Sequence, residues 1–234
     1  MMSMTSFNWP DSSEFETILV LGGSTFAFCL THYLFHPNVI EQRLKDPIKA
    51  YYVSKVLSGF LMSFVALGVL YYTGFDLHIF TPTVADFIFG SVFALTLFVM
   101  LFPLFVVSAK DPNMQSHYPE LRVSKRNRAL VVQSAIVWFV YLMGYEFLIR
   151  GAVLYYGVER WGFWNGMTVM TAVYVLFHLN KAASETFICF VAGPLFGCIT
   201  IYFSSIWAVV LLHTLIAVAT ENLAAKYNPA FSIE

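Results

Sequence analysis

Glu146 and Arg150 lie within a run that is otherwise almost wholly apolar: Ala129–Trp138, Phe139–Ile149, then Gly151–Val158. A charge at bilayer depth costs roughly 2.5–3.5 kcal/mol on insertion scales, so such groups face protein or a water-filled cavity and usually carry a task. Four residues apart, the two share one helix face and can pair. As a packing device they are a buried ion pair, and a carboxylate paired with a guanidinium is a weak base. As chemistry, the carboxylate activates water while the guanidinium orients it. Both readings remain open at this spacing.

Two histidines extend the set. Tyr174 and His178 stand one helical turn apart, on one face, at the end of a later apolar segment. His213 falls within the last apolar segment, about 10 Å from its start, too deep for a simple interfacial role; function or a hydrogen bond to a neighbouring helix explains it. Glu185 is either an acid near the positive end of a helix dipole or a second buried carboxylate. Gly193 and Gly197 form a GxxxG pair suited to close helix packing. Glu146, His178 and His213 together would also make the three-ligand set that catalytic zinc uses. The spacing matches no HExxH motif, so no cofactor is expected and a divalent metal is the alternative.

These residues are carried by a membrane scaffold. The chain of 234 residues is 59% hydrophobic and 12% charged, outside the range of soluble domains, and predicts an all-α polytopic bundle of seven to eight transmembrane helices. Predicted spans are Thr17–Phe35, Val53–Tyr72, Val84–Val107, Ala129–Tyr156, Phe163–His178, Glu185–Phe203 and Ile206–Ala224. His36-Pro37-Asn38, Thr81-Pro82-Thr83 and Asp111-Pro112-Asn113 punctuate them. Arg43, Lys45, Lys49 and Lys55 follow the first span; Lys110, Arg122, Lys125, Arg126 and Arg128 follow the third. The positive-inside rule makes both loops cytoplasmic and the N-terminus external. Met1–Glu16 has three acids and no Lys or Arg, unlike a cleavable signal peptide. Tyr118–Arg128 is either an interfacial helix or an ordinary basic loop, with cations that would attract anionic membrane lipid. Cys29, Cys189 and Cys198 read as small buried hydrophobes. A net charge of −1 argues against nucleic acid.

The order Glu-x-x-x-Arg-Gly at Glu146–Gly151, aromatic-x-x-x-His at Tyr174–His178, then His213 in the final span resembles the CPBP family, the CAAX-protease and bacteriocin-processing (Abi) intramembrane proteases. Lys181, Glu185, the paired glycines and Ser204-Ser205-Ile206-Trp207 agree with it. The resemblance covers about Leu121–Ala224 and divides the chain into N-terminal helices and loop, 1–128, and a catalytic-type core, 129–224. It implies metal-independent peptide hydrolysis with Glu146, Arg150, His178 and His213 as catalytic groups and Tyr145, Tyr174 and Glu185 as substrate contacts. Two family positions differ: Tyr145 replaces the first Glu of a Glu-Glu pair, and Ala217 replaces an Asn or Asp.

The expected function is therefore an intramembrane peptidase acting on a protein or peptide, with Glu146 or His178 taking the proton of water and His213 stabilising the tetrahedral intermediate. A catalytically degenerate relative, serving as immunity factor, scaffold or chaperone, is the alternative. A transporter ranks last, because the ionisable groups cluster rather than line a path. Glu146 lies so far along its span that meeting His178 requires a long, tilted or surface-starting fourth helix.

Overall fold

The computed structural model describes residues 12–74 and 82–233; the N-terminal stretch before Ser12 and Thr81 lie outside the described residues. Ten α-helices follow in order: α1 (Ser12–Cys29), α2 (Pro37–Leu44), α3 (Pro47–Thr73), α4 (Val84–Ser108), α5 (Pro112–His117), α6 (Arg128–Glu146), α7 (Tyr155–Trp161), α8 (Phe163–Leu176), α9 (Ala183–Tyr202) and α10 (Trp207–Tyr227). Wide π-helical stretches extend α1 (Leu30–Leu34) and join α6 to α7 (Phe147–Leu154). A two-residue parallel pairing, β1 (Lys125–Arg126) with β2 (Ser232–Ile233), ties a loop to the chain after α10.

The predicted breaks at His36-Pro37 and Asp111-Pro112 turn out to be helix starts, and Asp46-Pro47, not among them, is another. His36, Asp46 and Asp111 each precede a proline, and each side chain accepts a backbone N–H of the first turn of α2, α3 or α5. Proline at the first helical position forfeits an N–H that had no partner there anyway, so cap and proline act together. Thr83 and Asn127 cap α4 and α6 in the same way. Gly74 ends α3 in the left-handed region, at φ 70°.

Among the described residues six helices are long and apolar enough to cross a membrane, and the protein is an integral, multi-pass, all-α bundle. The predicted count of seven to eight is not reached by this measure. The predicted fifth span, Phe163–His178, is α8, which stops at Leu176 and has only 14 residues. Turns at His178 and Leu179, bonded back to Val175 and Leu176, end it early. At about 21 Å it is shorter than the hydrocarbon core. Large apolar side chains such as Phe89, Val99 and Met100 on α4, and Phe187 and Phe190 on α9, are exposed, as lipid-facing surfaces require. Cys29 and Cys198 are exposed too; of the three cysteines only Cys189 is buried as expected.

α6, the π stretch and α7 form one continuous 34-residue helix, Arg128–Trp161. At about 51 Å it outruns a single crossing. The predicted long fourth helix is thus present, with the π stretch inside it. α3 packs against it where Gly59 meets Gly144: a Cβ on Gly144 would fall 2.0 Å from the Gly59 carbonyl oxygen. The GxxxG glycines of α9 face α8 instead, Gly193 against Thr171 and Gly197 against Met167.

One end of the bundle gathers the loops. Residues 118–126 form neither an interfacial helix nor a free loop, but a strap tucked between helix ends. The Glu120 and Leu121 amides donate to the Glu221 carboxylate of α10 at 2.9 and 3.1 Å. Arg126 is fully buried, 3.4 Å from Glu221, and is withdrawn from the basic patch expected to meet lipid.

Candidate active site

Glu146 is the last residue of α6, where the helix widens into the π stretch. Such widenings are common at functional sites because they re-aim side chains. The carboxylate is fully buried between two cations or potential cations. Oε2 lies 2.9 Å from Arg150 Nη1, and Oε1 lies 2.5 Å from His213 Nδ1 on α10. The Arg150 guanidinium in turn lies 4.1 Å over the Tyr174 ring of α8. Arginine is suited to this, since its flat, weakly hydrated head can face an ion and a ring at once.

His178 sits in the turn after α8, its Nδ1 2.8 Å from the Tyr174 carbonyl oxygen. A carbonyl only accepts, so Nδ1 carries the hydrogen and Nε2 presents a lone pair. Burial presses the His178 pKa down to about 3, so the ring is neutral at ordinary pH. The His178 and His213 rings lie 6.5 Å apart and nearly parallel, at 21°. Tyr145 completes a triangle, its ring 6.1 Å from His178 and 5.8 Å from His213.

This triangle forms one wall of a cavity of about 430 Å³. Tyr174, Lys181 and Glu185 add polar lining, and apolar side chains of α4 and α9 (Leu101, Leu104, Ile188, Leu195) form the opposite walls. Five of the seven predicted site residues therefore face one space: His178, His213, Tyr145, Tyr174 and Glu185. Glu146 and Arg150 join them from behind the wall, through His213 and Tyr174. Of the two groups expected to take the proton of water, His178 lines the cavity, and Glu146 reaches it through the His213 imidazole.

The same geometry bears on the metal alternative. Glu146 is engaged by Arg150 and by His213 Nδ1, and His178 Nδ1 by the Tyr174 carbonyl. Among the described residues no cluster of three or more His, Cys, Asp or Glu is placed to hold a metal ion.

A second polar cluster, missed in the sequence, closes the loop end of the cavity. Glu120 of the strap pairs with Lys55 of α3 at 2.8 Å and with Lys181. Burial alone would raise the Glu120 pKa, but Lys181 and Lys55 outweigh it and hold it at about 2. The Tyr118 hydroxyl donates to both oxygens of Glu185, at 2.9 and 2.8 Å. Glu185 is thus a first-turn acid of α9 and a half-buried carboxylate held by Tyr118, so it takes something of both roles between which sequence could not choose. The available signal for the cluster was a lone Lys55 and a lone Glu221 inside predicted spans.

Residues 127–219 match the family described as type II CAAX prenyl endopeptidase Rce1-like. This stretch, somewhat under half of the chain, is similar to that family. It begins at the cap of α6 and ends within α10, and so contains every member of the triangle and both groups behind it. No curated protein and no solved structure matches the chain significantly. The Rce1-like domain places the protein, in general terms, among intramembrane peptidases of the CAAX-protease type acting on a peptide or protein substrate.

Proposed function

We propose that the protein hydrolyses a peptide bond of a membrane-associated polypeptide within the cavity between α4 and α9. The observation that carries this reading is the Glu146–His213 contact at 2.5 Å, which engages Nδ1 and leaves Nε2 free on a residue that lines the cavity together with His178. A carboxylate on Nδ1 orients an imidazole and stabilises its protonated form, which makes the far nitrogen an effective base. His213 Nε2 then removes the proton of water as its oxygen attacks the carbonyl carbon. His178 Nε2 accepts the second hydrogen of that water and aligns it. Collapse of the tetrahedral adduct breaks the C–N bond, and His213 returns its proton to the departing amine. Glu146 and Arg150 are positioning residues in this scheme; Tyr174 and Glu185 contact the chain of the substrate.

The core 129–224 supplies the chemistry, and the helices of 1–128 complete its walls through α3 and α4. Every Lys and Arg except Arg150 and Arg160 lies at or next to the end that gathers the loops, so that end faces the cytoplasm and α1 enters from outside.

An internally quenched peptide ending in a farnesylated CAAX sequence is the first probe, with its unprenylated form beside it. His213→Ala and His178→Ala, each with an unfolding transition like that of wild type, should lower turnover at least about 100-fold. Unchanged turnover in both would overturn the reading. The alternative, a binding protein without catalysis, draws on Glu146 facing away from the cavity. It is favoured if the wild-type protein retains peptide in detergent but leaves it intact.

A further inference from the structure

Hydrolysis needs a hydrogen-bond donor for the oxygen that becomes negative, as well as acceptors for water. The cavity wall is unevenly supplied with these. His178 Nδ1 is engaged by the Tyr174 carbonyl and His213 Nδ1 by the Glu146 carboxylate. In their neutral forms both rings therefore carry a lone pair, not an N–H, on the nitrogen that stays free. Tyr118 gives its hydroxyl to Glu185. Tyr145 is different. The residue lines the cavity, its side chain is 3% exposed, its hydroxyl has no partner among the described residues, and its ring lies 6.1 and 5.8 Å from those of His178 and His213. The other buried donor without a partner among the described residues that line the cavity, Trp138 Nε1, lies two helical turns back along α6, about 10 Å away along the axis.

A buried hydroxyl left without a partner is costly unless something else uses it. We propose that Tyr145 is a catalytic residue whose O–H donates to the scissile carbonyl oxygen and strengthens that bond as the oxyanion forms. The assignment rests on the hydrolytic reading of the site. Electrons move from the attacking water to the carbonyl carbon, and from the C=O π bond to the oxygen held by Tyr145. The proton of the water resides on His213 until the amine leaves, and Tyr145 keeps its own proton throughout. The rings of Tyr141 and Phe177, centred 6.1 and 5.9 Å from that of Tyr145, hold its phenol in place.

Tyr145→Phe removes only the oxygen and is tested with the farnesylated quenched peptide against wild type and His213→Ala. The expected result is a fall in kcat of about 100-fold, with KM changed by less than about threefold and the thermal midpoint unchanged or raised. A structural role predicts the opposite pattern, a lowered midpoint with kcat per folded molecule retained, and that result overturns the proposal. Wild-type kcat in Tyr145→Phe, with His213→Ala inactive, overturns this assignment alone. A wild-type protein that cleaves neither peptide overturns the hydrolytic reading and this assignment with it.

Discussion

Glu146 joins two helices that are distant in sequence: its Oε1 rests 2.5 Å from His213 Nδ1 on α10, while Oε2 stays 2.9 Å from Arg150 one turn along its own helix. The carboxylate is therefore both architecture and a means of orienting an imidazole. Removing one member of a buried pair strands the other charge, at a cost of about 3–5 kcal/mol, whereas replacing both with apolar groups of similar volume is often tolerated. Glu146→Leu and Arg150→Met should each lower the unfolding midpoint in detergent clearly. The double replacement should be more stable than either single one. Single variants as stable as wild type would show that the pair is not desolvated as found.

The strap is held by ions, so its attachment should depend on them. Glu120→Ala leaves Lys55 without its carboxylate, and Lys55 is otherwise held by the Trp138 ring at 3.5 Å. Trypsin should then cut faster at exposed Arg122 and Lys125, by about tenfold or more, because local opening sets cleavage rates at such sites. Identical cleavage in wild type and variant would argue that the strap is held by its backbone contacts to Glu221 alone.

Acid should loosen the same strap within a defined window. The folded Glu120 pKa is about 2, below the ordinary carboxylate value of 4.5, because Lys181 and Lys55 overcome the burial that would raise it. A depressed carboxylate contributes stability that is complete above 4.5 and is lost as pH falls toward 2. Glu120→Gln should flatten the pH dependence of the unfolding midpoint in that window only.

His178 titrates with its own sign. Burial holds its pKa near 3 in the folded state against 6.5 when free, so the unfolded chain binds the extra proton between those values. Stability should be full above pH 6.5 and decline as pH falls toward 3. His178→Asn should remove that slope between pH 6.5 and the carboxylate range, which equilibrium unfolding at stepped pH would reveal.

Helix contact makes a further prediction at glycine. Gly144→Ala would force a methyl group against the Gly59 backbone, which cannot move as a side chain can. It should destabilise by at least about 1–3 kcal/mol, the usual range for overpacking. Gly68→Ala, with nothing within 4 Å of the added carbon, should be neutral or mildly stabilising. Similar unfolding midpoints for the two variants would contradict the close α3–α6 approach.

By itself the sequence determined the helical membrane class and most span positions, and it named five residues that the structure gathers around one cavity. Long apolar runs leave the backbone no alternative to helices, and charges within such runs must have partners. It also showed that Glu146 and Arg150 share a face, because four residues make about one turn. Only the tertiary structure decided what that face meets. His213 comes 67 residues after Glu146, and nothing local says that its Nδ1 closes on Oε1. The burial of Arg126 depends likewise on Glu221, 95 residues away, which is why a seemingly basic loop became an internal strap. The backbone-to-backbone approach of Gly59 and Gly144 carried no motif, whereas the visible GxxxG pair met side chains, those of Thr171 and Met167. Local spacing states which groups can lie together on one element; which partner completes each of them is decided by packing between elements far apart in the chain.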